Sequence, residues 1–189
     1  IPVATAEHVG VMLNNKIYII GGRSANTYMY DPTENSWVQK AMMISEDTEH
    51  SGAAVDNKIY IMGGSGDGYA TTRCYDPEID TWTSKASMSS RYRHTSQAIG
   101  TNIHTVGGYS PSSSSTVASH SMYNTLTNTW TTKKAMTSER QTPASAVVNG
   151  CLYVLGGYTS YAHTSNYMYD PSTNTWTTKY SMPVSLVDH

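Results

Sequence analysis

The segment Tyr169–Trp176, with the sequence YDPSTNTW, decides the fold because it recurs in related form three more times in the chain. The related segments span residues 30–37, 75–82 and 123–130, and in each a Tyr stands seven residues before a Trp. An Asn or Asp always stands two residues before that Trp, and Asp-Pro follows the Tyr in three of the four copies. Proline presets φ near about −65° and Asx side chains cap the local backbone, so each segment predicts a tight turn between two strands. The third copy has Asn124-Thr125 at the turn, and we expect that turn to be the loosest.

A second repeated feature is a Gly-Gly pair after a short apolar run, at residues 21–22, 63–64, 107–108 and 156–157. The distance from each Trp to the next pair is 25 or 26 residues, which gives a repeat of roughly 47 residues. Each repeat predicts four strands: an apolar first strand, a second that ends at Gly-Gly, a third with the Tyr and a fourth with the Trp. One such sheet cannot bury both faces, whereas sheets packed face to face can, which predicts a β-propeller.

Variation in length is confined to the loop between the second and third strands of each repeat. The second glycine precedes the Tyr by 8, 11, 15 and 12 residues in the four copies. In the third copy the loop contains the run 110–115 (SPSSSS), which predicts a flexible, low-complexity loop. Because binding residues are often carried by variable loops on a rigid scaffold, we expect a ligand site at this end of the sheets.

Composition limits the classes of partner. The chain has 189 residues, of which 14% are charged, and a net charge of −2, so there is no electrostatic reason to expect a nucleic-acid or membrane partner. No apolar run reaches the roughly 20 residues that a membrane-spanning helix needs. Cys74 and Cys151 match neither a disulfide framework nor a metal or redox motif, and we expect two buried thiols. The compartment stays open, although the lack of an N-x-S/T acceptor favours an intracellular location.

The Gly-Gly pair after an apolar strand, followed by Tyr-Asp-Pro-x-x-Asn-x-Trp, resembles the signature of the kelch repeat over essentially the whole chain. The resemblance implies an all-β, kelch-type propeller with four blades of four antiparallel strands. The predicted blades span about 1–43, 44–88, 89–136 and 137–182, and residues 183–189 begin a further repeat phase. The segment 169–176 with Ser181-Met182 looks most like kelch domains of BTB-kelch proteins, which recruit substrates to a cullin ubiquitin ligase. This chain carries no BTB domain, so it would be the recognition part.

The number of repeats leaves three interpretations open. Kelch propellers commonly have six blades, whereas four copies of the signature occur here. The chain also begins and ends in the same phase of the repeat, because His8, His50, His94 and His189 occupy equivalent positions. The chain is therefore a fragment or shortened relative, an autonomous four-bladed ring, or an open arc that is completed by self-association.

By the resemblance, ligand contacts come from the residue after each Gly-Gly pair and from the two residues after an Arg that precedes the first strand. We call the four positions of this Arg the slot positions. Arg91 and Arg140 match the family pattern, whereas Thr5 and Asp47 depart from it. The resemblance predicts that the ligand-binding residues converge at one mouth of the propeller, although each one alone is equally well read as an ordinary exposed loop residue. They are Arg23, Ser65, Tyr109 and Tyr158 after the glycines, and Glu7, Glu49, Tyr92, Arg93, Gln141 and Thr142 after the slots.

These residues suggest binding rather than catalysis. The chain contains no G-x-S-x-G, H-E-x-x-H or P-loop motif, and the three in-phase histidines lack a fixed carboxylate, so we expect no enzyme activity, cofactor or metal. Arg23 and Arg93 favour a protein or peptide ligand with an acidic segment, whereas Glu7 and Glu49 give the mouth mixed charge. Two alternatives remain: a carbohydrate-binding propeller, since Tyr, Asn and Gln also suit sugars, and an actin-binding kelch protein.

Overall fold

The regular structure consists of antiparallel β-sheets. The computed structural model describes residues 1–66 and 69–185, and in these residues there is no α-helix, hence none long and apolar enough to cross a membrane. Four of the sheets have four strands each, and a fifth has two. The predicted all-β class is therefore confirmed. Residues 186–189, the end of the predicted further repeat phase, lie outside the described part of the chain.

The chain divides into two compact units, and the first comprises Ile1–Tyr92. It holds two sheets, each with its strands in chain order, and we call them repeats 1 and 2. Repeat 1 contains β1 (His8–Leu13), β2 (Lys16–Gly21), β3 (Thr27–Asp31) and β4 (Ser36–Lys40). Repeat 2 contains β5 (Ser51–Val55), β6 (Lys58–Met62), β7 (Thr72–Asp76) and β8 (Thr81–Ser84).

The second unit begins at Arg93 and holds repeats 3 and 4. Repeat 3 contains β9 (Thr95–Ile99), β10 (Asn102–Val106), β13 (His120–Asn124) and β14 (Thr129–Lys133). Between β10 and β13 lie the short strands β11 (Tyr109–Ser110) and β12 (Ser115–Thr116). Repeat 4 contains β15 (Ala144–Val148), β16 (Cys151–Leu155), β17 (Asn166–Asp170) and β18 (Thr175–Lys179).

The serine-rich insertion of repeat 3 differs from its prediction as a flexible loop. Strands β11 and β12 pair in antiparallel fashion, with Tyr109 opposite Thr116 and Ser110 opposite Ser115. The turn between them is closed by the amide of Ser114, which donates to the carbonyl of Pro111 at 3.4 Å. The insertion therefore forms a small hairpin, which is held by hydrogen bonds between its own backbone groups.

The recurring Tyr and Trp stand directly opposite each other on the third and fourth strands of each sheet. In repeat 4, Tyr169 pairs with Trp176, their rings are 5.1 Å apart, and the Tyr169 hydroxyl donates to Asn174 Oδ1 at 2.8 Å. The Asx residue has a positive φ in every turn, which Asn and Asp tolerate better than most residues. The turn of repeat 3 forms without proline, because Asn124 Oδ1 accepts the amides of Leu126 and Thr127 at 3.0 Å each.

Each unit has its own apolar core, in which neighbouring sheets contribute side chains from their second strands. Ile20 and Ile59 are fully buried in the first unit, as are Leu152 and Val154 in the second. The tryptophans are only half-buried, but two of them connect neighbouring repeats through their indole N–H groups. Trp82 Nε1 donates to the carbonyl of Ala41 at 2.9 Å, and Trp176 Nε1 to that of Lys134 at 2.7 Å. Of the two cysteines, both free thiols, Cys74 is buried and Cys151 is partly exposed.

Candidate functional site

The Gly-Gly pairs hold the slot segment of the following repeat in place. The amide of the second glycine donates to the carbonyl of that slot residue, from Gly22 to Asp47 at 3.0 Å and from Gly108 to Arg140 at 2.7 Å. Gly107 has φ +71°, and a Cβ at that position would lie 2.6 Å from the Arg140 carbonyl oxygen. Glycine is therefore required there by both conformation and space. The slot segments of repeats 2, 3 and 4 are thereby held beside the preceding glycines.

Three of the four slot side chains, those of Asp47, Arg91 and Arg140, are buried. Arg140 is fully buried; its Nη1 donates to Gly156 O and Ser165 Oγ, both at 2.8 Å, and its guanidinium carbon lies 4.6 Å from the centre of the Tyr167 ring. Arg91 is also buried, and desolvation lowers its pKa to about 10. These two arginines are therefore held inside the fold rather than offered to a ligand.

In repeat 2 the slot holds the opposite charge. Asp47 is 1% exposed and accepts a hydrogen bond from Arg73 Nη1 at 2.6 Å. Arg73 lies on β7, and its Nη2 also donates to Ser45 Oγ at 2.9 Å. The departure from Arg at this slot, visible in the sequence, is thus compensated by a cation from another strand of the same repeat.

In the first unit, three of the predicted site residues lie together at the loops. Arg23 and Glu7 form an exposed ion pair with 3.0 Å between Arg23 Nη2 and Glu7 Oε1, and the hydrogen bond with Glu7 raises the pKa of Arg23. The amide of Glu49 donates to the carbonyl of Glu7 at 3.2 Å. The other two predicted site residues of this unit, Ser65 and Tyr92, make different contacts. The Ser65 amide bonds to the Thr48 carbonyl at 2.8 Å, and the Tyr92 ring packs 5.8 Å from that of Tyr69.

In the second unit, four predicted residues are connected. Arg93 Nη1 donates to Gln141 Oε1 at 3.3 Å, and the amide of Thr142 donates to the Arg93 carbonyl at 2.7 Å. Gln141 and Tyr158 exchange two backbone hydrogen bonds of 2.9 Å, and Tyr158 is 39% exposed. Tyr109 lies on β11 in the hairpin described above.

A shared backbone conformation marks these loops. Glu7, Glu49, Arg93 and Thr142, which occupy the second position after each slot, all have φ between 49° and 61°. None is a glycine, and such a conformation in ordinary residues persists only where surrounding contacts fix it. The surrounding contacts therefore fix the backbone at these four positions, a property that the sequence pattern does not reveal.

The in-phase histidines serve the fold. His50 is buried, its Nε2 donates to the carbonyl of Ile20 at 3.1 Å, and burial lowers its pKa to about 4. His94 is also buried, whereas His8 is exposed. Among residues 1–66 and 69–185, no three His, Cys, Asp or Glu side chains lie close enough to hold a metal ion.

Sequence reasoning missed a cavity of about 400 Å³ in repeat 1. It lies at the slot of that repeat, beside Thr5, the first Gly-Gly pair and Tyr28, and Arg23 also lines it. The signal that points to it is the small Thr5 at a position where repeats 3 and 4 place a buried arginine.

Comparison with known proteins identifies the family. The family described as "Kelch motif" matches residues 4–43, 48–89 and 139–183, which is more than half of the chain, so the chain belongs to the kelch repeat family. Most of repeat 3 lies outside these matches. A search of curated proteins gave no match.

Among solved structures, the chain is similar to the one titled "Structure of YjhT", with a TM-score of 0.86 and 13% sequence identity. The similarity covers 96% of this chain and 67% of that chain. At this level of identity the likeness establishes the fold alone. Together with the family match, it confirms the prediction of a kelch-type β-propeller fold, a class of protein that serves generally as a binding module.

Proposed function

We propose that this chain is a non-catalytic, four-bladed kelch module that binds a peptide segment of a partner protein at the loops after the slot positions. The observation that carries the proposal is the left-handed backbone that these loops share, with the side chains of Glu7 and Arg93 exposed. Their backbone is fixed in the left-handed region at four equivalent positions, so little conformational entropy is lost when a ligand binds. The residue types also suit recognition, because Tyr and Arg are enriched in interface hot spots.

The two groups of loops differ in charge, so each suits a different kind of ligand residue. In the first unit, Glu7 and Glu49 outnumber Arg23, which is already paired with Glu7. In the second unit, Arg93 lies among the neutral residues Gln141, Thr142 and Tyr158. A basic residue of a ligand suits the first group, and an acidic or neutral polar residue suits the second.

The similarity of 169–176 to BTB-kelch domains supports a more specific role. In that setting the chain is the substrate-recognition part of a ubiquitin ligase adaptor, and the bound segment belongs to a ubiquitylation substrate. Capture of a cullin by the parent protein, together with loss of substrate capture when these loops are altered, would support that role.

A peptide array tests the proposal, with a glycan array and filamentous actin as competing probes. For the best peptide, Arg93→Ala should weaken binding at least about five-fold, the equivalent of about 1 kcal/mol at a hot spot. Lys134→Ala, an exposed cation away from these loops, is the matched control and should leave the affinity unchanged. Binding of glycans or actin alone, or equal affinity of both variants for the peptide, would contradict the proposal.

A further inference from the structure

The cavity of repeat 1 and the buried arginine of repeat 4 occupy equivalent places in their sheets. Thr5 and Arg140 each stand 17 residues before the second glycine of their repeat. The Arg140 side chain is buried beside the glycines of repeat 4, whereas the shorter Thr5 lines a cavity of about 400 Å³. That volume lies toward the lower end of the roughly 300–1,000 Å³ typical of ligand pockets.

The groups that hold the guanidinium in repeat 4 have counterparts around the cavity. In repeat 4 they are the carbonyl of Gly156, the side chain of Ser165 and the ring of Tyr167. At the same distances from the repeat's glycines and Tyr, repeat 1 has Gly21, Asn26 and Tyr28, and all three line the cavity.

The chemistry of these counterparts is suited to a planar cation. Gly21 offers a carbonyl oxygen and Asn26 an amide oxygen as acceptors, and Tyr28 offers an aromatic ring. The shorter hydrogen bond of Thr5 Oγ1 goes to Gly22 O at 2.6 Å, whereas Gly21 O accepts from Ser24 Oγ at 3.4 Å. Asn26 Oδ1 accepts from Gln39 Nε2 at 3.4 Å, and both of these acceptor oxygens can take a second hydrogen bond.

We propose that this cavity binds the guanidinium group of an arginine in the peptide ligand. The inference deepens the proposed function and rests on it for the peptide context. A guanidinium is planar and weakly hydrated, so it enters a partly apolar cavity and stacks on a tyrosine at lower cost than an ammonium does. The arginine of the peptide occupies the position in repeat 1 that the Arg140 side chain occupies in repeat 4.

The ion pair at the cavity regulates this binding. Arg23 lines the cavity, and its Nη2 lies 3.0 Å from Oε1 of Glu7. An entering guanidinium is attracted by Glu7 and repelled by Arg23. Replacing Arg23 by glutamine therefore tightens binding, whereas replacing Glu7 by glutamine weakens it.

Titration with Nα-acetyl-arginine amide, followed by NMR of the tyrosine rings, tests the inference. The lysine and citrulline amides are the matched probes, since one keeps the charge without the planar group and the other keeps the planar shape without the charge. We expect saturable shifts at Tyr28 with the arginine amide and at least about five-fold weaker binding of the other two. Equal binding of the three amides, or shifts that bypass Tyr28, would overturn the inference.

Three variants make the test independent of folding failure. Thr5→Arg supplies the missing side chain and should abolish binding while raising Tm by at least about 2 °C, and Thr5→Ser should keep binding. Arg23→Gln should tighten binding at least about two-fold by relieving charge repulsion. If the arginine amide binds Thr5→Arg as tightly as wild type, or binds Arg23→Gln more weakly than wild type, the inference is contradicted.

The inference and the proposed function fail in different ways. If the arginine amide binds at Tyr28 but no peptide depends on Arg93, the proposed function is wrong and the cavity stands. If a peptide depends on Arg93 but the arginine amide leaves the Tyr28 ring unshifted, the cavity inference is wrong and the proposed function stands.

Discussion

Repeats 2 and 4 fill the same buried position with side chains of opposite charge. Repeat 4 buries Arg140 against two oxygen acceptors and an aromatic ring, whereas repeat 2 buries Asp47 against Arg73 from a neighbouring strand. The slot therefore does not require one residue type. It requires a polar group whose partners come from the same repeat, because an unpaired buried charge is strongly destabilising.

The largest effect should come from breaking the ion pair of repeat 2. Asp47→Ala leaves the Arg73 guanidinium, which is 4% exposed, without its carboxylate, and we expect a loss of about 3–5 kcal/mol of unfolding free energy. Urea unfolding measures this loss.

A double variant sharpens the comparison. Asp47→Arg combined with Arg73→Tyr rebuilds the arrangement of repeat 4 inside repeat 2, and it should recover most of the stability that either single substitution removes. A double variant no more stable than the worse single variant would mean that the two repeats are not interchangeable.

A smaller effect is expected in repeat 4. Arg140→Ala leaves an empty space and a Gly156 carbonyl without its guanidinium donor, but no unpaired charge, so the expected loss is about 2–3 kcal/mol. The same urea experiment compares it with Asp47→Ala. If Arg140→Ala proves more costly than Asp47→Ala, the charge argument is wrong.

The smallest effect concerns pH and repeat 3. His120 Nδ1 donates to Lys134 O at 3.3 Å, so neutral His120 accepts the hydrogen bond from His104 Nδ1 at 2.8 Å through its Nε2. Tyr169 packs against both rings, and burial, aided by the charge of Lys133, lowers the pKa of His104 to about 4.

Because this folded-state pKa lies below the ordinary value of about 6.5, the stabilisation is complete above pH 6.5 and is lost as the pH falls toward 4. We expect a loss of about 1 kcal/mol between pH 7 and pH 5.5, measured by hydrogen exchange in β10 and β13. His104→Tyr, which installs the residue found at this position in the other repeats, should remove part of that dependence. An unchanged pH profile would show that His104 does not titrate as described.

The sequence predicted those features that depend on neighbours in the chain. The turn at 169–176 forms as expected because its Tyr, Asn and Trp interact within eight residues. The compensation of Asp47 by Arg73 was not predicted, because the two are 26 residues apart and meet only after β7 pairs into the sheet. The hairpin at Ser110–Ser115 was also missed, since composition alone favoured a flexible loop.

For the candidate site, the pattern identified which positions follow the slots and the glycines, and the structure connects seven of them by hydrogen bonds within their units. The sequence pattern could not identify the cavity, because a pattern shows which residues are present and not the space that a short side chain leaves around it. Thr5 was visible as a departure from the family pattern, but its consequence follows only from the place that Arg140 takes in repeat 4.

The central claim is that an unfilled slot is a guanidinium site, and Arg140→Thr tests it most directly. This variant gives repeat 4 the residue that repeat 1 has at its slot. In an NMR titration with Nα-acetyl-arginine amide, wild type should show saturable shifts at Tyr28 alone, and Arg140→Thr should show a second set at Tyr167. A folded Arg140→Thr variant whose Tyr167 ring does not respond to the arginine amide would contradict the claim.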